Sequence, residues 1–179
     1  IGQLVCRLAE AQGSEVIGID PDTKRIDLST NFYTSVEEAN MTNVDSVIIT
    51  AATSSNEPIE VATKIARNKA KIVVVGDIPL NISRNDFYYK ELELVVSKSY
   101  GPGRYDKQYE ILGKDYPIEY VRWTENRNFE AFIRLLSQNQ IHLLDLVSEE
   151  VSFESAPSIY KKFTEEDKTT IEEKIKEVQ

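Results

Sequence analysis

The sequence has few of the residues that build disulfides, metal sites and membrane spans. It holds one cysteine, Cys6, and one histidine, His142, among its 179 residues. A single cysteine cannot form an internal disulfide, and one Cys with one His cannot supply the ligand set of an ordinary zinc site. No apolar run approaches the ~20 residues of a membrane span, and none resembles a signal peptide. We therefore predict a cytoplasmic location, no membrane partner, and no metal, zinc included, bound by this chain.

Basic residues are also scarce relative to acidic ones. The chain has 21 Lys and Arg against 30 Asp and Glu, a formal net charge of −9. Nucleic acids and anionic membranes are bound by clustered Lys and Arg that neutralise phosphates, so neither is an expected partner. Hydrophobic residues make up 41% of the chain and charged residues 28%, as in ordinary globular proteins. The length suits one folded domain with a short appendage.

The order of apolar segments predicts a doubly wound α/β fold. Apolar residues recur at helical spacing from Leu4 to Ala11, Gly13 ends that run, and a short apolar strand closes at Asp20. The pattern repeats: strands are expected at 45–50, 71–75 and 92–97, and helices near 35–39, 57–66 and 83–89. Two possible capping boxes, at residues 35–38 and 54–57, mark helix starts. Strands separated by helix-length segments favour right-handed crossovers and a mostly parallel sheet with helices on both faces.

The character of the sequence changes after Tyr100. Gly101-Pro102-Gly103 breaks the chain, and a stretch rich in Tyr, Arg, Lys and Asp runs to Tyr120 without clear periodicity. Long loops in compact domains are often functional. Helices are expected at 124–137 and 155–163. We predict one folded domain over residues 1–163 and a charged helical segment over 164–179.

A glycine and an acidic residue give the first indication of function. Gly2 stands where the last glycine of a G-x-G-x-x-G phosphate loop would stand, and Asp20 ends the next strand about 20 residues on. An acid there accepts hydrogen bonds from the adenosine ribose and repels a 2′-phosphate, which favours NAD over NADP, although nearby Arg25 weakens that preference. The alternative is that Gly2 is an ordinary helix-start glycine and Asp20 a turn residue before Pro21.

Longer segments of the sequence resemble a known protein family. Residues 1–25, the run Val44-Asp-Ser-Val-Ile-Ile-Thr-Ala-Ala-Thr53, the run Ile72-Val-Val-Val-Gly-Asp77 and the closing 151–160 resemble the medium-chain (zinc alcohol dehydrogenase-like) dehydrogenases. Residues 51–56, 99–106 and 115–127 are similar to a bacterial subgroup. In that subgroup this part is commonly joined to a second oxidoreductase domain of the glucose-fructose oxidoreductase/inositol dehydrogenase type. The resemblance implies the Rossmann domain of an NAD-dependent oxidoreductase that transfers hydride to or from an alcohol or sugar-like substrate.

The resemblance also implies which residues bind the cofactor. The adenosine end would meet residues near the second strand of that fold, and the nicotinamide end would meet residues that follow later strands. The implied cofactor-binding set is Gly2, Asp20, Pro21, Arg25, Ala51, Ala52, Thr53, Val75, Gly76, Ser97 and Ser99. No catalytic residue is expected in this chain.

Arginines in the loop from Ser99 to Arg127 form a second candidate set. Arg104, Arg122 and Arg127, with neighbouring tyrosines and a tryptophan, are suited to gripping an anionic or sugar-like substrate. The alternative is a structural loop whose arginines pair with the chain's many carboxylates.

Several partners are expected from the resemblance alone. The family's zinc ligands and much of its substrate pocket lie in an N-terminal catalytic domain outside these residues, and the fold's first strand would precede Ile1. Strand 92–97 is the candidate edge for a homodimer. Two other functions stay open: a non-catalytic nucleotide-binding or assembly domain, and a methyltransferase using S-adenosylmethionine. The turn Ser99-Tyr-Gly-Pro-Gly and the closing pattern at 155–160 have no place in the methyltransferase fold.

Overall fold

A computed structural model describes residues 1–23, 31–147, 149–162 and 164. It divides into two compact units, Ile1–Ile141 and His142–Gln179. Within the first unit, parallel strands alternate with helices, which confirms the predicted α/β fold with a mostly parallel sheet. The predicted boundary at 163/164 and the charged segment after it lie almost wholly outside the described residues.

The first part of the chain forms a two-stranded parallel sheet. Helix α1 spans Gly2–Ala11, strand β1 Ile17–Ile19, strand β2 Asn31–Tyr33 and helix α2 Val36–Ala39. Strands β1 and β2 pair in parallel, Ile17 opposite Asn31. The sequence predicts a longer first strand, 15–20, and gives no sign of β2, whose three residues are too few to show a period.

A three-stranded parallel sheet follows, in the order β3-β4-β5. Its elements are strand β3 (Val44–Ile49), helix α3 (Glu57–Ile65), strand β4 (Ala66–Val74), helix α4 (Arg84–Lys90) and strand β5 (Glu93–Val96). Strand β4 begins directly after α3 and is longer than the predicted 71–75, with a register shift opposite the start of β3. Strand β5 is an edge of this sheet among the described residues, as its role in a dimer would require.

The two predicted capping boxes have different outcomes. The Ser35 side chain accepts a hydrogen bond from the Glu38 amide at 3.1 Å, which confirms the first helix start. The Glu38 carboxylate instead bonds the backbone and hydroxyl of Thr34, and these bonds lower its pKa. The second box is wrong: α3 begins after Asn56, whose side-chain amide bonds Glu60 and the Asn81 carbonyl.

The buried core lies under the three-stranded sheet. Residues Ile49, Ile59, Ala62, Ile72, Val74 and Ile78 form one buried cluster between this sheet and α3. Lys90, at the end of α4, closes the end of α3 by donating to the carbonyls of Thr63, Lys64 and Ala66 at 2.7, 2.9 and 2.8 Å. A cation here supplies hydrogen bonds to carbonyls that lack partners within the helix, and its charge interacts favourably with the negative end of the helix dipole.

The long loop after β5 contains a short helix that the sequence does not predict. Helix α5 spans Lys107–Glu110 and is capped by the Asp106 carboxylate, which accepts from the Gln108 amide at 2.8 Å. Helix α6 spans Glu125–Ser137, close to its predicted bounds, yet none of its residues is fully buried. In the second unit, Leu144–Leu146 and Phe153–Ser155 form 3-10 turns and 156–162 is helical, as predicted. Among the described residues, no helix has the length and apolar character needed to cross a membrane.

Candidate functional site

The carboxyl ends of β3, β4 and β5 meet along one edge, and hydrogen bonds hold the segments that follow them. The Val75 and Gly76 amides donate to the Ile49 carbonyl at 2.8 and 3.0 Å. The Thr53 amide donates to the Asp77 carbonyl at 3.0 Å, and the Ser97 amide to the Val74 carbonyl at 2.8 Å. This is the edge at which open parallel α/β sheets bind ligands.

Two glycines allow close packing at this edge, Gly76 against backbone and Gly2 against a side-chain hydroxyl. A side chain at Gly76 would overlap the Ala51 carbonyl oxygen and put a carbon 2.7 Å from the carbonyl carbon of Thr50. A Cβ at Gly2, in the first turn of α1, would lie 3.0 Å from the Thr50 hydroxyl. The edge is therefore lined by backbone and small side chains. The Gly2 amide end of α1 lies beside the end of β3, where helix amides can face a phosphate.

Asp20 follows β1 and is held in place by its own turn. Its amide donates to the Tyr33 carbonyl at 3.1 Å, and its Oδ1 accepts from the Asp22 amide at 3.0 Å. The side chain is half-buried. A carboxylate fixed through one oxygen can offer the other to a sugar hydroxyl without first losing much conformational freedom.

The remaining predicted cofactor residues lie on open surface. Those that follow the strands are exposed, as is Pro21, and Val75 is 37% exposed. The exposed members are Pro21, Ala51, Ala52, Thr53, Val75, Ser97 and Ser99. Arg25 lies outside the described residues. Thr50 also lies at this edge but is absent from the residues predicted from the sequence. Its position could have been inferred, because its hydroxyl comes directly after a buried strand.

Arg104 is engaged by its own loop. Its guanidinium lies 5.1 Å from the ring centre of Tyr100 and 4.6 Å from that of Tyr105, and Nη1 pairs with Glu110 at 2.8 Å. The hydrogen bond to Glu110 raises the pKa of Arg104 above its ordinary value. Its Nε is buried without a hydrogen-bond partner. Its carbonyl accepts from Lys98 Nζ at 2.7 Å, which ties the loop back to the end of β5.

Arg127 holds the other end of the loop together. Its guanidinium bonds the Asp115 carboxylate at 2.6 Å, the Tyr116 carbonyl at 2.7 Å and the Val121 carbonyl, and its side chain is only 15% exposed. These contacts match the structural alternative for this arginine. Arg122 differs, because its exposed side chain lies over the ring of Trp123 at 4.2 Å.

A hydrogen-bonded cluster of tyrosines fixes the middle of the loop. The Tyr116 hydroxyl donates to Asp106, which lowers the pKa of that carboxyl and raises the pKa of the tyrosine. Tyr116 stacks on Tyr109 with ring centres 5.7 Å apart. The Tyr109 hydroxyl donates to the fully buried Thr124 at 3.2 Å and accepts from the Asn126 amide at 2.9 Å. The loop is therefore an ordered platform beside the strand ends.

Comparison with solved structures gives a fold neighbour. A crystal structure described as a "putative alcohol dehydrogenase" from Sinorhizobium meliloti 1021 superposes with a TM-score of 0.54 over 78% of this chain, at 15% sequence identity. The matched part spans 36% of that protein, so the chain corresponds to about a third of its length. No protein-family model matches the sequence, and no curated protein matches it. At this identity the likeness shows the fold, which agrees with the parallel α/β architecture.

Across the parts of the chain that the structure describes, no group of three or more His, Cys, Asp or Glu side chains is placed to hold a metal ion. The prediction that zinc, if used, is bound elsewhere stays a prediction.

Proposed function

We propose that this chain is the nicotinamide-dinucleotide-binding domain of an oxidoreductase, and that it binds NAD(H) along the carboxyl edge of its strands. The observation that carries the proposal combines two glycines with a fixed carboxylate. Gly76 lies against the Ala51 carbonyl, Gly2 lies against the Thr50 hydroxyl, and Asp20 is held in place after β1. The fold shared with the structure described as a "putative alcohol dehydrogenase" supports it.

In this proposal, the two ends of the edge bind different parts of the cofactor. The α1 amides beside Gly2 face the pyrophosphate, and the free oxygen of Asp20 accepts hydrogen bonds from the adenosine ribose hydroxyls. The Gly76 backbone lets the nicotinamide half lie against the ends of β3 and β4 without meeting a side chain. When bound, the cofactor supplies hydride exchange with an alcohol or sugar-like carbon.

The substrate side of the proposal rests on the loop. Arg122 is exposed and already lies against an aromatic ring, so it can meet an anionic or hydroxyl-rich substrate. Arg104 and Arg127 are engaged in the loop and would act by keeping its shape beside Ser97 and Ser99. We further propose that an N-terminal catalytic domain completes the substrate pocket, and that the full protein also carries a second oxidoreductase domain.

Calorimetric titration with NAD⁺ and NADP⁺ tests the proposal. We expect binding of NAD⁺ in preference to NADP⁺. Asp20→Asn should weaken NAD⁺ about 10- to 100-fold, since a charge-assisted hydrogen bond is worth about 1.5–3 kcal/mol. The same change should narrow the preference over NADP⁺, because the repulsion of the 2′-phosphate is removed.

The matched control is Asp45→Asn at the opposite, amino end of β3. Its side chain is 86% exposed and its ion pair with Arg67 lies on the surface, so cofactor affinity should not change. Equal effects of the two substitutions, or equal affinity of the wild-type chain for both dinucleotides, would count against a specific role for Asp20.

A further inference from the structure

A half-open cavity lies where the chain enters helix α4. Its volume is about 500 Å³, and it is lined by Ile82, Ser83, Arg84, Phe87 and Tyr88. This volume is in the range of small-molecule sites, and the walls are mostly apolar, as the walls of such sites are. None of the lining residues belongs to the cofactor or substrate sites proposed above.

Two of the walls are fixed by packing and hydrogen bonds. Phe87 is half-buried and packs against the buried cluster between the three-stranded sheet and α3. Asn81, directly before Ile82, exchanges two hydrogen bonds with Asn56 at the start of α3. Its amide donates to Asn56 Oδ1 at 3.1 Å, and its carbonyl accepts from Asn56 Nδ2 at 3.0 Å. A ligand would therefore enter a site that needs little rearrangement, which lowers the cost of binding.

Arg84 gives the cavity one positive charge. Its guanidinium lies 4.8 Å from the centre of the Tyr88 ring. Across the described residues it has no carboxylate partner, whereas Arg67, Arg104 and Arg127 each pair with one. A guanidinium that lies on an aromatic ring keeps its N–H edge free, and this edge can bind a carboxylate through two hydrogen bonds.

The remaining lining groups narrow the choice of ligand. Ser83 is the N-cap residue of α4, but its side chain makes no capping hydrogen bond, so its hydroxyl can donate to a ligand. The apolar walls disfavour sugars, because hydroxyls placed against them would lose hydrogen bonds to water without replacement. The rings of Phe87 and Tyr88 favour an aromatic body, which packs edge-to-face or offset against them. A ligand with one anionic group and a flat apolar body fits these groups.

We propose that this cavity is a binding site for a small aromatic carboxylate. The carboxylate bonds the Arg84 guanidinium and the Ser83 hydroxyl, and the aromatic ring packs against Ile82, Phe87 and Tyr88. The site does not depend on the proposed function, since it shares no residue with the dinucleotide site and its test involves no cofactor.

NMR titration of the 179-residue chain with indole-3-acetate tests the proposal, and indole-3-acetamide is the neutral control ligand. A ligand of this size should bind with a Kd near about 1 mM, so the titration extends to several times that concentration. We expect indole-3-acetate to shift the backbone amides of Ser83, Phe87 and Tyr88 until the site is saturated. The acetamide should bind at least about fivefold more weakly, because it lacks the charge that Arg84 meets.

Two variants and a matched control locate the contacts. Arg84→Gln should weaken indole-3-acetate about five- to tenfold, a moderate loss because the guanidinium is exposed to solvent. Ile82→Ser should weaken it about threefold or more, since part of the apolar wall is removed at a position that is already 47% exposed. Arg134→Gln, which changes an exposed arginine of α6 outside the cavity, should leave the affinity unchanged.

The proposal is overturned if indole-3-acetate causes no saturable shift, if the acetamide binds equally well, or if Arg84→Gln has no larger effect than Arg134→Gln. It is also overturned if the cavity amides shift on dilution of the protein alone, because a second copy of the chain would then occupy the cavity.

Discussion

Replacing Gly76 with alanine tests how closely the backbone segments at the ends of β3 and β4 pack against each other. The new Cβ would overlap the Ala51 carbonyl oxygen and lie 2.7 Å from the carbonyl carbons of Thr50 and Ala51. Carbon contacts are optimal at about 3.5–4.0 Å, so the two backbone segments must part by roughly 1 Å. Gly76 is not among the residues with positive φ, so the alanine adds bulk without backbone strain.

The magnitude follows from the overlap. Overpacking of this kind costs about 1–3 kcal/mol, which lowers the melting temperature by roughly 2–12 °C for a protein of this size. The separation also breaks the bond from the Gly76 amide to the Ile49 carbonyl, so NAD⁺ affinity should fall with stability. Thermal unfolding by circular dichroism and calorimetric titration measure the two effects.

Gly2→Ala is the graded comparison for Gly76→Ala. Its Cβ would meet only the Thr50 hydroxyl, at 3.0 Å, and a side chain gives way more readily than a carbonyl. We expect a loss below about 1 kcal/mol for this variant. If Gly76→Ala melts within about 1 °C of the wild type, the inferred close approach between the ends of β3 and β4 is wrong.

Two further predictions concern the structure around the site. Lys90→Met should cost about 2 kcal/mol, because it leaves the carbonyls that end α3 without their charged donor, while Lys64→Met in the same helix should have little effect on urea unfolding. Tyr116→Phe should raise the pKa of Asp106 toward its ordinary value, as followed by NMR titration of the carboxyl carbon, whereas exposed Tyr120→Phe should not. Since the pKa of Asp106 is lowered in the folded protein, its contribution to loop stability is present above the carboxyl's ordinary pKa and is lost as the pH falls through the lowered value. An unchanged Asp106 titration in the Tyr116 variant would refute the role given to that hydroxyl.

Strand and helix order could be predicted from the sequence because the buried segments are strongly patterned. Ile72 and Val74 lie in a continuous apolar run, and that run is the centre of β4. Strand β2 could not be predicted, because its three residues depend on pairing with β1. The capping box at residues 54–57 is wrong because α3 begins after Asn56, whose side chain bonds the distant Asn81 carbonyl.

The candidate site could be predicted only in part. Asp20 and Gly76 have signals in the sequence, an acid and a glycine that end apolar runs. The sequence identifies the loop arginines but not the groups that they contact. Only the structure shows that Arg127 bonds Asp115 and that Arg104 lies against the rings of two tyrosines. Residues that contact each other across short stretches of irregular chain produce no periodic pattern in the sequence.

The most direct test of the account is to map NAD⁺ onto the chain by amide chemical shifts. We predict that titration with NAD⁺ moves the resonances of Gly76, Ala52 and Ser97, at the carboxyl ends of the strands. Lys71 and Glu93, whose ion pair lies at the start of β5 and three residues before the last residue of each strand, should stay unchanged. If NAD⁺ leaves the carboxyl edge unchanged, or shifts both ends of the sheet alike, this edge is not a dinucleotide site.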